Sequence, residues 1–251
     1  MTKNDTSRFD PADIAEALTL LSRLPVAARG TRGGAAAWAY PVAGLVIGGI
    51  AGLAGCLATY FGLPAAIAAV VALTCQVVIT GAMHEDGLAD SADGLWGGWD
   101  RARRLEIMKD SRIGAYGVIA LCLSLLCRWA LLWLLFEASA GGALAAIIAT
   151  AALSRAAIPV LMWRLPQARA DGLSHSVGAP DGQTVLTGLA LAAIAAFILI
   201  WGSALSAILL AALVTLGAGR IARAKIGGQT GDILGAAQQL VEIAVLMAIV
   251  A

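Results

Sequence analysis

Residues 64–83 read PAAIAAVVALTCQVVITGAM, and residues 84–94 continue without a break as HEDGLADSADG. The first stretch holds no Asp, Glu, Lys or Arg, and as a helix it is long enough to cross ~30 Å of hydrocarbon. The second delivers His84, Glu85, Asp86, Asp90 and Asp93 directly to the end of that span. If the helical pattern persists, Asp86, Asp90 and Asp93 stand at i, i+4 and i+7, within a sector of about 60°. Three carboxylates on one face repel each other unless a cation lies among them. Hard oxygen ligands favour magnesium or manganese over zinc, and magnesium commonly shares its shell with substrate phosphates. Gly87 and Gly94 interrupt the acidic block and let a bulky substrate approach the backbone.

The same apolar character runs through the chain. Of 251 residues, 60% are hydrophobic and 13% charged, more apolar surface than a soluble domain of this length can hide. Spans are expected near 37–60, 64–83, 117–136, 143–163, 185–201 and 204–219, with a shorter seventh near 236–251. The fold class that follows is all-α: a polytopic integral membrane bundle of six to seven transmembrane helices. Residues 1–34 form an N-terminal amphipathic segment. Within it Ile14, Ala17, Leu18, Leu21 and Leu24 share one side of an interfacial helix that ends before Pro25. This segment does not read as a cleavable signal. No tail or repeat divides the chain, so 1–251 is one domain with 84–114 as its active-site segment. Gly44, Gly48 and Gly52 suit close helix packing in lipid.

The basic residues fix an orientation. They fall in the N-terminal segment (Lys3, Arg8, Arg23, Arg29, Arg32) and after the second span (Arg101, Arg103, Arg104, Lys109, Arg112). They recur at Arg164 and Arg169, and at Arg220, Arg223 and Lys225, whereas 61–63, 137–142 and 202–203 carry none. This alternation predicts a multi-pass membrane protein whose long connections, and with them the acidic block, face the cytoplasm. Cys56, Cys75, Cys122 and Cys127 lie in apolar spans without metal-site spacing and read as small hydrophobes. No basic face interleaved with aromatics points to nucleic acid. Nothing in the sequence fixes the oligomeric state, which leaves room for a homo-oligomer.

Lys109 and Arg112, flanking Asp110 one helical turn apart, supply charge that can hold phosphate beside a metal. Arg101 and Arg104 have the same spacing and equally fit anchoring to anionic lipid. A second polar island, Gly227-Gly228-Gln229-Thr230-Gly231-Asp232, reads as an anion-binding turn or as a loop capped at Asp232. Arg128, Arg155 and Glu242 fall inside spans, where charges turn inward. Either structural pairing, with Glu242 opposite an arginine, or a substrate cavity accounts for them. His175 reads as a solvated loop residue.

The motif His84-x-Asp86-Gly-Leu-Ala-Asp90-x-x-Asp93-Gly, followed by Leu105-Glu-Ile-Met-Lys109-Asp110-Ser-Arg112-Ile-Gly114, closely resembles the cobalamin synthase (adenosylcobinamide-GDP ribazoletransferase) family. Leu21-Ser-Arg-Leu-Pro-Val26, Tyr40-Pro-Val-Ala-Gly44 and the Gly227–Gly235 island resemble further family landmarks in family order, so the likeness covers nearly the whole chain. Glu85 departs from the apolar residue expected at its position. The resemblance implies transfer of cobinamide phosphate from adenosylcobinamide-GDP to α-ribazole or its 5′-phosphate, with release of GMP. It also implies magnesium as cofactor. On that reading Asp86, Asp90 and Asp93 hold the metal, and Asp93 or His84 accepts the hydroxyl proton. Glu85, Lys109, Asp110, Arg112, Thr230 and Asp232 then contact substrate and phosphate.

Two other readings compete. A CDP-alcohol phosphotransferase shares this chemistry, and Asp90-x-x-Asp93-Gly94 matches part of its motif. Gly97-Gly98 stand where Ala-Arg should follow, however. A cation-coupled transporter would place its acids near mid-membrane instead of at the boundary.

Overall fold

The computed structural model describes residues 9–28 and 30–251. Lys3, Arg8 and Arg29, counted above among the basic residues, lie outside the described residues. Described residues form eleven α-helices: α1 (Ala12–Leu21), α2 (Tyr40–Tyr60), α3 (Ala65–Thr80), α4 (Met83–Gly97), α5 (Arg101–Ile107), α6 (Ala115–Ala138), α7 (Ala140–Arg164), α8 (Leu173–Val177), α9 (Gly182–Leu199), α10 (Ala204–Ile226) and α11 (Gly231–Val250). A 3₁₀ segment, Gly33–Ala39, leads into α2. Six helices are long and apolar enough to cross a membrane, and α3 with α4 makes a seventh if that bent pair is one span.

The bend is the main departure from the expected second span. Gly81 and Ala82 both adopt the left-handed conformation, at φ +64° and +57°, which ends α3 and restarts the helix as α4 at an angle of 85°. α4 therefore lies against α11 and α6 instead of prolonging α3. The final segment also differs: it is a full helix of 20 residues. With α7 it forms the buried middle of the bundle.

Small residues set the packing. α2 runs along α7, and a Cβ on Gly44 would collide with the Ala151 carbonyl. One on Gly48 would lie 2.9 Å from the Ala151 methyl, and one on Gly52 2.7 Å from Leu144. The stripe expected from sequence is thus the α2–α7 contact. α1 turns Ala17, Leu18 and Leu21 into the protein core. Asp13 of α1 is buried and receives Arg32 at 3.1 Å and the Trp38 indole N–H at 2.7 Å.

All the basic connections meet at one end of the bundle. Arg101 donates to the Ala168 carbonyl and Arg104 to that of Lys225, each at 3.1 Å. Lys225 in turn donates to Leu95 at 2.8 Å. Arg101 and Arg104 are staples between connections.

Candidate active site

α4 is helical through the acidic block, so the turn spacing predicted for Asp86, Asp90 and Asp93 is present. Their surroundings differ. Asp86 is exposed and Asp90 half-buried. Asp93 is buried, and its carboxylate accepts the Gly114 N–H at 2.7 Å and the Gly117 N–H at 2.9 Å. Both oxygens of Asp93 are thereby engaged at the N-terminus of α6, where free amide groups and the helix dipole favour an anion. Asp232, in the first turn of α11, joins Asp86 and Asp90 and lies within electrostatic reach of both, and Asp93 also acts on Asp90. Gly87 makes this approach feasible: a Cβ there would sit 2.8 Å from the Asp232 carbonyl.

Glu85, one residue on from His84, is buried in the bundle. It accepts from Arg128 at 2.8 Å and from Gln239 at 3.1 Å. It is a buried structural partner here, not an exposed substrate contact. Arg128 also pairs with Glu242 at 2.9 Å. Gln76 and Gln238 donate to the two Glu242 oxygens at 2.8 and 2.7 Å. Arg155, fully buried, donates to the Ala151 carbonyl at 3.1 Å. Two arginines and two glutamates balance in charge, as burial of ions requires. Structural pairing therefore accounts for Arg128 and Glu242.

The remaining polar residues come from two connections that fold together. Residues 165–181 pair with the Gly227–Gly231 turn through reciprocal backbone bonds, Ala168 N–H to the Gln229 carbonyl and Gln229 N–H to that of Pro166, both 2.9 Å. The Ser174 hydroxyl donates to Gln229 at 2.6 Å. Gly227 is left-handed at φ +79° and ends α10. Thr230, not Asp232, caps α11: its hydroxyl accepts the Ile233 N–H at 3.3 Å and donates to Asp232 at 3.2 Å. Thr230 is buried, and its hydroxyl holds Asp232 in place.

A chain of alternating charge crosses this surface. Lys109 pairs with Asp171 at 2.5 Å, Asp171 with Arg169 at 3.6 Å, and Arg169 with Asp232 at 3.2 Å. The Lys109 ammonium holds the Asp171 carboxyl below the usual carboxylate range. Arg112 lies further out and pairs with Asp110 at 2.7 Å. Its hydrogen bonds hold that carboxyl down to about 2. His175 is exposed on α8. Arg169 is the residue that sequence reasoning passed over. Its Nη1 is buried without a partner, and its one signal was a lone arginine in a Gly- and Pro-bearing connection.

Asp86, Arg169 and Asp232 stand on the wall of a cavity of about 170 Å³, together with His84 and α8. Lys109 and Arg112 are outside this wall. Among the described residues no three His, Cys, Asp or Glu side chains are grouped closely enough to hold a metal ion between them. Hard carboxylates presented singly at a cavity wall fit magnesium, which takes one or two of them and fills its shell with water and phosphate oxygens.

A family model described as cobalamin-5-phosphate synthase matches residues 13–250. The chain belongs to that family. Among its relatives, a protein of Mesorhizobium japonicum named adenosylcobinamide-GDP ribazoletransferase is 46% identical over 94% of this chain and 91% of its own. Proteins of the same name from Azorhizobium caulinodans and Bradyrhizobium diazoefficiens are 46% and 43% identical, covering 95% and 97% of this chain and 95% of their own lengths. No solved structure matches the chain.

Apart from 105–114, the segments that carry the resemblance to the cobalamin-5-phosphate synthase family are scattered in sequence but meet at one cavity. Leu21, Tyr40, His84, Asp86, Asp232 and Gly235 all line the one cavity.

Proposed function

We propose that this chain is an adenosylcobinamide-GDP ribazoletransferase that joins cobinamide phosphate to α-ribazole or its 5′-phosphate and releases GMP. The observation that carries this reading is the similarity, over nearly the full chain, to proteins of that name. The site is the cavity wall of Asp86, Asp232 and Arg169, with Asp90 one turn further along α4, facing the cytoplasm from the inner membrane. The gathering of every basic connection at that end favours this orientation.

In this reaction a ribose hydroxyl oxygen bonds to the cobinamide-side phosphorus, the bridging P–O bond to GMP breaks, and the hydroxyl proton is taken up by the protein. Arg169 is pre-set by Asp171 and Asp232, and its remaining buried N–H group is offered to a diphosphate oxygen. Lys109, released from Asp171, holds the diphosphate at the outer edge, with Arg112 beyond it. Magnesium at Asp86 and Asp90, with Asp232 beside them, would neutralise charge on the diphosphate. His84, with Nε2 unpartnered on the buried side of Asp86, accepts the hydroxyl proton. Asp93 fixes α4 against α6.

The test is the purified protein in liposomes with adenosylcobinamide-GDP, α-ribazole 5′-phosphate and magnesium, read by mass spectrometry. The joined corrinoid and equimolar GMP are expected. GMP without joined product, or transfer only to a CDP-alcohol acceptor, would refute the assignment.

A further inference from the structure

The cavity has a division of chemistry that the proposed reaction does not by itself explain. Its charged side chains, Asp86, Arg169 and Asp232, lie together, and His84 and Ser174 are the other polar side chains on this part of the wall. The rest of its wall is dominated by Leu20, Leu21, Tyr40, Ile158, Met162 and Val177, drawn from four helices. At about 170 Å³ it is well below the ~300–1,000 Å³ of pockets for drug-sized ligands.

We infer that this cavity is the seat of the acceptor's base: a flat, apolar, benzimidazole-type ring held among the aliphatic side chains, with its ribose at the Asp86 end. The inference rests on the proposed reaction, which brings three large groups to the site. The corrin ring is far too large for the space. Guanine carries donors and acceptors around its edge, and each one left unpaired against aliphatic walls costs about 1–3 kcal/mol. A benzimidazole attached to ribose has no N–H of its own and a single ring acceptor, so apolar walls suit it. The buried His84 is a second, independent pointer. It is only 2% exposed, lines this cavity and has an Nε2 without any partner. Buried polar atoms are normally satisfied, and a ribose hydroxyl at the Asp86 end supplies the missing one. α8 closes the cavity with Leu173, Ser174 and Val177. It lies between Gly172 at φ +91° and Gly178 at φ +78°.

The experiment uses full-length protein in liposomes, with both substrates varied, and two variants of opposite size. Val177→Trp on the half-buried face of α8 should raise the KM for α-ribazole about tenfold while leaving that for adenosylcobinamide-GDP within about twofold, a loss confined to one substrate's ground-state binding. Met162→Ala should enlarge the cavity and shift preference toward ribosides of a bulkier tricyclic base. Calorimetric titration of α-ribazole into each protein reads the same contrast without turnover. A rise confined to the KM for adenosylcobinamide-GDP, or base preference unchanged in Met162→Ala, would overturn the inference while leaving the transferase assignment standing. If wild-type protein gives no joined product, the transferase assignment itself fails. Calorimetric binding of α-ribazole then decides about the cavity alone: binding weakened by Val177→Trp supports the seat, and equal binding overturns it.

Discussion

Arg169 Nη2 lies 3.2 Å from Asp232, which ties the 165–181 connection to the first turn of α11 at the cavity wall. This pair pins a guanidinium beside carboxylates that would otherwise only repel a diphosphate. The arrangement can grip phosphate and still leave Asp86 and Asp90 for a cation.

Arg169→Ala should lower kcat/KM for adenosylcobinamide-GDP about a hundredfold, the scale of loss when one donor to a developing anion is removed. Arg169→Lys keeps the charge but not the planar fork, and should fall between. Steady-state kinetics with each substrate varied checks this, and unchanged kinetics in Arg169→Ala would remove the residue from the site.

Arg128→Met should destabilise the fold, because Glu85 and Glu242 would be left buried without a guanidinium. Breaking such a buried pair from one side costs about 3–5 kcal/mol. Replacing Glu85 and Glu242 by Gln in the same chain should restore much of the loss. Thermal unfolding in detergent, followed by size exclusion, reports both.

Gly44→Ala should prevent α2 from seating on α7, since its Cβ meets the Ala151 carbonyl. Gly49→Ala, which would meet nothing within 4 Å, should be tolerated and gain slightly in helix propensity. The two variants differ only in which side of α2 they change, so comparing their unfolding temperatures isolates the packing.

Orientation can be read from labelling after the four native cysteines are replaced. Trp99→Cys and Tyr60→Cys both present exposed positions, 79% and 84% accessible, at opposite ends of the bundle. An impermeant thiol reagent added outside cells should label position 60, with position 99 reached only after the membrane is opened. The reverse pattern would invert the topology.

Much of this was legible in the chain because membrane spans are written in composition. Each apolar window became a helix, and the charges at Arg128 and Glu242 announced a need for neutralisation before any partner was visible. The break at Gly81-Ala82 was not legible: it lies within an apolar run, and an alanine at positive φ carries no sequence signal. Nor was the position of Asp93. Helical spacing set it on one face with Asp86 and Asp90, but the amide groups of Gly114 and Gly117 that engage it arrive from a helix whose approach only tertiary packing defines. Asp232 reaches α4 because Gly87 admits the α11 backbone, a long-range contact that spacing within the acidic block does not contain.

Asp86 and Asp90, with Asp232 held beside them by Arg169 and Asp93 engaged by α6, would present a divalent cation to the substrate diphosphate. Electron paramagnetic resonance of manganese, titrated into purified protein with adenosylcobinamide-GDP present, tests it most directly. One tight site per chain is expected in wild type, weakened about tenfold or more in Asp86→Asn and Asp90→Asn by loss of an anionic oxygen ligand, and kept in Asp93→Asn. Equal manganese affinity in all four proteins, or a loss confined to Asp93→Asn, would contradict it.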